Sequence, residues 1–389
     1  MKGFQFNGIA AGIKTNGNKD LGIIYSQRPA SAAALFTTNK VVAAPVILGR
    51  ERIVPGICQA VVVNSGNANC FTGEQGYKDA VETACVAAEA LNIPEDLVLV
   101  SSTGVIGAPL PMEKIHTGIP LVVGDMAWDK ADDFAQAILT TDLAKKIVSK
   151  TCTVKGKTFS VCGFAKGSGM IRPNMATMLA FVCTDLDISS TLLKTALQKA
   201  CDTSFNRISV DGDTSTNDMV IAMANGMSGA VLEDSDDALE FQQVMDEILL
   251  ELSKMIVRDG EGATKIARIT VRGAASAHDA FLAAEAIAHS NLVKTALYGE
   301  DPNWGRITAA AGRSGAMVDP DKMDLYFGEV ALVMKGEWQG VDAEKEAARE
   351  MKADELEIIL DLNLGDHSDF FMFCDFSENY VKINADYRS

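Results

Sequence analysis

The chain has little of what usually announces a protein's class. Its eight cysteines include no CxxC pair, which excludes a zinc ribbon and a thioredoxin-type motif. At this density in 389 residues they read as buried, reduced thiols of a cytosolic protein. Only four histidines occur, His116, His278, His289 and His367, with no HExxH and no close Cys partner, so no metal is indicated. Their spacing neither supports nor rules out a histidine triad, which assembles from afar. Basic residues are outnumbered, 35 against 52 acidic, and the net charge of -17 argues against nucleic acid and against anionic membrane surfaces. No run of about 18 apolar residues exists to span a bilayer. The opening MKGFQFNGIAAGIKTNG lacks the apolar region of a signal peptide. A soluble, cytoplasmic protein is expected.

What is present is an ordinary globular composition, 48% hydrophobic and 22% charged. The length suits roughly two to three domains. Val61–Val63 runs into Asn64-Ser65-Gly66-Asn67, and Leu97–Val100 into Ser101-Ser102-Thr103-Gly104, both strand-then-loop signals. Ala80–Leu91 is helix-prone. Thr177–Thr184 reads as a buried strand, and Ser189 or Ser190 as the cap of a helix carrying Leu192, Leu193, Ala196, Leu197 and Ala200. A second helix is expected over Asp237–Val257, with strands over Glu357–Leu362 and Phe370–Phe376. Helices and strands mix without βαβ alternation, so the class is α+β.

Familiar motifs fail on inspection. Gly167-Ser168-Gly169 opens like a dinucleotide fingerprint, but Arg172 stands where the last glycine belongs and a strand follows. Gly156-Lys157-Thr158 ends like a P-loop whose first glycine is replaced by Thr151. Asp211-Gly212-Asp213 opens like an EF-hand, but Thr216 and Ala222 occupy the Gly and Glu positions.

Lys166–Phe181 remains. It carries a lysine, two glycines, an Arg-Pro-Asn turn and then Ala176-Thr177 before an apolar run. A threonine hydroxyl is a weak nucleophile, but an α-amino group on the same residue, with a pKa of about 8, acts as its base near neutral pH. That amine exists in mid-chain only if the preceding peptide bond is broken. An Ala-Thr junction after a tight loop permits such self-cleavage; taken alone, it is usually just the start of a plain strand.

Ordered motifs across the chain shift this balance. They are Gly3-Phe, Val63–Asn69, Ser102–Gly107, Thr140-Thr-Asp142, Lys166–Phe181, Asp211–Asp218, Asp259–Lys265, Gly299–Arg306 and Asn384–Ser389. With them the sequence resembles the glutamate N-acetyltransferase family, also called ornithine acetyltransferases, of arginine biosynthesis. The resemblance implies self-cleavage before Thr177 into an α chain, 1–176, and a β chain, 177–389, whose internal boundary is set near 280. It implies mixed β-sheets layered with helices, in the plan of N-terminal-nucleophile enzymes but with a distinct topology. Acetyl would pass from N2-acetylornithine to Thr177 and on to glutamate, with an oxyanion hole at Thr103 and Gly104. Substrate contacts carry over to Thr140, Lys166, Thr177, Glu261, Asn384 and Ser389. The family implies no cofactor, acetyl-CoA as an optional co-substrate, and an (αβ)2 assembly. Asp211–Asp218 and Gly299–Arg306, with Trp304, are assigned to architecture or pocket shaping. The rival is a self-processing aminopeptidase or amidase, with the same nucleophile but water as acceptor.

Overall fold

The computed structural model describes residues 1–172, 178–232 and 238–385. The described chain divides into two compact units, one of residues 1–206 and 213–256, the other of 207–212 and 257–385. Ala176, Thr177 and Ser389, named above, lie outside the described residues. Position 280, where the sequence reading sets its internal boundary, falls within a helix.

In chain order the strands of the first unit are β1 (Phe4–Ile9), β2 (Leu21–Phe36), β3 (Ile57–Asn67), β4 (Val98–Val105), β5 (Lys146–Val154), β6 (Lys157–Lys166), β7 (Leu179–Thr184) and β8 (Asp187–Ile188). β9 (Ile208–Ser209) belongs to the second unit, and β10 (Met219–Ala224) and β11 (Val231–Leu232) return to the first. The main sheet runs β4-β3-β2-β10-β7-β6-β5, with β1 also on β2. Its β3–β4 and β10–β7 pairs are parallel and the rest antiparallel. Strands buried on both faces read as unbroken apolar runs, as Ala60–Val63 does. Ala60 and Val62 pack with Ala84, Ala87 and Ile119 of helices α1 (Gly73–Leu91) and α2 (Met112–Gly124), whereas Val61 and Val63 belong to the opposite core. A four-ring cluster of Phe6, Phe134, Phe164 and Phe181 fills that second core, with centroids 5.2–6.5 Å apart. Each buried ring contributes about 1.5–3 kcal/mol.

The expected helices form. Ser189 caps one over Ser190–Asp202 by accepting the Leu192 N–H; of the Asp237–Val257 stripe, Asp237 lies outside the described residues and the rest falls in the helix Ala238–Arg258. Phe241, Ile248, Leu249 and Leu252 of the latter are buried. Gly163 on β6 leaves room for it: a Cβ there would stand 2.7 Å from Ile248 and 2.8 Å from Leu252.

The second unit has its own sheet, containing Ile266–Ala274 between Glu355–Asp361, parallel to it, and His367–Cys374, antiparallel. Both C-terminal strands fall where the sequence places them. Ile269, Val271, Ile358 and Phe371 pack against Ala280, Ala284 and Ile287 of the helix Ala277–Ala288. Trp304 packs against this core at the start of a helix capped by Asn303, an architectural role. The molecule is α+β with mixed sheets layered by helices, as expected.

Candidate functional site

The polar residues named from the sequence in the first unit meet at one place: Thr103 in β4, Lys166 at the end of β6 and Thr140 in the segment before β5. Lys166 closes β6 with its side chain buried. Its ammonium donates to the Thr140 hydroxyl at 2.7 Å and lies 3.5 Å from the Thr103 hydroxyl. Three residues separated by 26 and 63 positions thus meet at one cation.

A buried ammonium needs a counter-charge. Asp142, which the sequence reading quoted only as part of a motif, supplies it. One of its oxygens lies 3.6 Å from Lys166 Nζ, and the other accepts from Lys146 Nζ at 2.8 Å and from the Gly167 N–H at 2.6 Å. The side chains of Asp142 and Lys146 are wholly buried. Burial alone would push the Asp142 carboxyl up. The two ammonium groups and the hydrogen bonds outweigh it and hold the carboxyl well below the usual range. Two lysines against one carboxylate leave a net positive pocket. Lys14 adds to it: its ammonium donates to the Leu139 carbonyl at 2.6 Å, beside Thr140, and burial lowers its pKa to about 8.

Thr103 and Gly104 require a correction. The sequence placed them in a loop beyond a strand, but they lie within β4, and Asn64–Asn67 likewise continue β3. Parallel pairing extends both strands, with Ser65 opposite Thr103 and Gly66 opposite Gly104. Local signals read loop because the segment is rich in Gly, Ser and Asn; the ladder and side-chain amides overrule them. Ser102 Oγ donates to Asn64 Oδ1 at 2.6 Å, and Asn64 Nδ2 donates to the Asn67 carbonyl at 2.8 Å. Gly104 has φ +133°, and a Cβ on it would sit 2.4 Å from the Gly66 carbonyl carbon, so only glycine fits.

Asn217 is a further residue that the sequence did not single out. Its amide donates to the Ala68 carbonyl and, at 2.8 Å, to the Ser102 carbonyl, the residue before Thr103. Asp211–Asp218 therefore includes a brace on the strand that carries Thr103.

Glu261 and Asn384 belong to the second unit, where Asn384 Nδ2 donates to Glu261 Oε2 at 2.9 Å. The two are thus brought together, 123 residues apart. In the first unit, Lys166 pairs in register with Leu179, and the junction before Thr177 precedes that partner by two residues of chain.

The fold and this site define an α+β protein with a buried, positively charged polar pocket at the ends of a mixed sheet. The chain belongs to the ArgJ family, whose family model matches residues 5–389. It is 51% identical, over the full length of both chains, to the arginine biosynthesis bifunctional protein ArgJ of Geobacter sulfurreducens. It is 48% identical to the protein of that name from Thermotoga neapolitana, over all of this chain and 99% of the relative. The crystal structure of the Bacillus halodurans arginine biosynthesis bifunctional protein is similar with a TM-score of 0.52 and 41% identity, over 54% of this chain and all of that one. The family expected from the sequence motifs is the one found.

Proposed function

We propose that this chain is a self-cleaving acetyltransferase of arginine biosynthesis, moving acetyl from N2-acetylornithine to glutamate through an acetyl-Thr177 intermediate. The convergence of Thr103 and Thr140 on the buried Lys166 ammonium, with Lys166 paired in register to Leu179, carries this reading. Family membership and the relatives' name support the pathway. The solved relative spans 54% of this chain, close to the share that follows the junction, which fits a chain cut there.

In cleavage, Thr177 Oγ attacks the Ala176 carbonyl, the scissile nitrogen leaves as the Thr177 amine, and water opens the resulting ester. In turnover, the amine takes the Oγ proton as Oγ attacks the acetyl carbonyl. The Thr103 hydroxyl and the Gly104 N–H hold the tetrahedral oxyanion, an arrangement worth about 10²–10³ in rate per donor. The positive pocket at Lys166 suits the α-carboxylate shared by ornithine and glutamate substrates. Glu261 with Asn384 suits the ornithine ammonium, and Ser389 completes the contact set. Acetyl-CoA serves as a second donor, in keeping with the relatives' bifunctional name; no cofactor is needed. The α and β chains, 1–176 and 177–389, stay together as (αβ)2 in the cytoplasm.

The test is release of ornithine from N2-acetylornithine with and without glutamate. Acceleration by glutamate, with equivalent N-acetylglutamate formed, is expected. A full rate in water alone would replace the transferase by an amidase.

A further inference from the structure

Asp218 is a buried carboxyl that the reaction above leaves without a task. It is 4% exposed, and its Oδ2 has no hydrogen-bond partner among the described residues. It precedes β10, which runs parallel to β7 with Met219 opposite Leu179, so Asp218 lies beside Met178. The Met219 N–H donates to the Met178 carbonyl at 3.2 Å, and Asp218 with Met178 lines a cavity of about 10 Å³, close to the space of one water. Burial dominates its electrostatics and pushes the carboxyl well up; the Ser215 hydroxyl, the Met178 N–H and the charge of Lys166 oppose this with less effect. Lys166 faces Asp142, a carboxylate that it shares with Lys146. The other titratable group lining the cavity is Cys201, a thiol that burial keeps protonated. An uncut chain therefore presents a neutral acid here, whose Oδ2 meets no acceptor among the described residues.

Cleavage changes this. The α-nitrogen of a residue lies within about 3.7 Å of the next residue's nitrogen, because only Cα and the carbonyl carbon separate them. Breaking the Ala176–Thr177 bond thus frees an amine next to the backbone group that Asp218 touches. We propose that Asp218 is the positioning residue for that amine: it holds its proton while the chain is intact, passes it to the Thr177 amine on cleavage, and stays as the carboxylate beside the ammonium. The inference rests on the self-cleavage reading. The balance closes: water adds across the peptide bond, Ala176 ends as a carboxyl, Thr177 as an amine, and one proton moves from Asp218 oxygen to Thr177 nitrogen. In turnover the same carboxylate stabilises the ammonium formed when the amine takes the Oγ proton, and so makes the amine a stronger base.

Asp218→Asn, nearly identical in shape, tests this. Intact mass first establishes that the wild type and the variant are cut. In the cut variant kcat/KM falls about 10- to 100-fold, and the acid limb of its pH profile moves down by about 1 pH unit because the amine loses its counter-ion. A cut variant with the wild-type limb overturns the proposal while leaving the self-cleavage reading intact; an uncut, active wild type overturns that reading instead. If Asp218→Asn stays uncut, Asp218→Glu decides: cutting restored with a wild-type limb supports a carboxyl's role, and failure of both contradicts it. Melting temperature gives a readout apart from activity. Combined with Thr177→Ala, which keeps the chain whole, Asp218→Asn raises Tm at pH 8 by about 2 °C or more. In the cut enzyme the same substitution lowers it. Equal shifts in both backgrounds contradict the proposal.

Discussion

Asp142 balances two buried ammonium groups, and its loss has a calculable consequence. Asp142→Asn leaves Lys146 and Lys166 without their carboxylate, and breaking a buried pair by removing one partner costs about 3–5 kcal/mol. A marked drop in Tm at pH 7 is expected. The pH dependence has a definite sign. The folded-state pKa of Asp142 is depressed, so its stabilisation is present above the unfolded carboxylate pKa of about 4 and is lost as pH falls through the folded value. The Tm gap between wild type and Asp142→Asn should therefore narrow below pH 4, measured by thermal melts across pH; a gap independent of pH would contradict the pairing. Lys166, Thr140 and Thr103 were nameable from sequence because each sits in a motif. Asp142 was in plain view in Thr140-Thr-Asp142, yet its role depends on two lysines, four and 24 residues onward, being folded onto it.

At the scale of elements, the pocket depends on how β3 and β4 are laced at their ends. Their backbones approach so closely at Gly66 and Gly104 that no side chain fits on Gly104. Gly104→Ala should force the strands apart at the proposed oxyanion donors, lowering kcat at least about 100-fold. Near-normal kcat in a folded Gly104→Ala enzyme would remove Gly104 from the oxyanion role. Asn217→Ala should act more mildly, because it removes two hydrogen bonds to Ala68 and Ser102 without a clash. A few-fold loss in kcat and a destabilisation of about 1–3 kcal/mol are expected from denaturant melts. Secondary elements with a strong local signature were legible: the Ser189 cap, the apolar stripe of Ala238–Arg258 and the C-terminal strands. The tails of β3 and β4 were not, because Asn64-Ser-Gly-Asn67 and Ser101-Ser-Thr-Gly104 have loop composition, and only pairing between distant segments makes them strands.

At the scale of the molecule, the junction divides a chain whose sheet does not divide with it. β6 lies before the cut and β7 after it, paired over six residues, and β10 is held between β2 and β7. The fragments 1–176 and 177–389 should therefore co-purify and separate only in denaturant; fragments that part under native conditions would contradict this sheet. The α+β class was readable from composition and periodicity, whereas the strand order was not, since it is set by pairings between distant segments. The most direct test of the central claim is denaturing mass spectrometry after incubation with N2-acetylornithine and no glutamate. The account predicts two fragments, with one acetyl group on the 177–389 fragment, located at Thr177 and discharged when glutamate is added. A single uncut chain of 41.4 kDa with activity, or a working enzyme whose 177–389 fragment never carries acetyl, would contradict it.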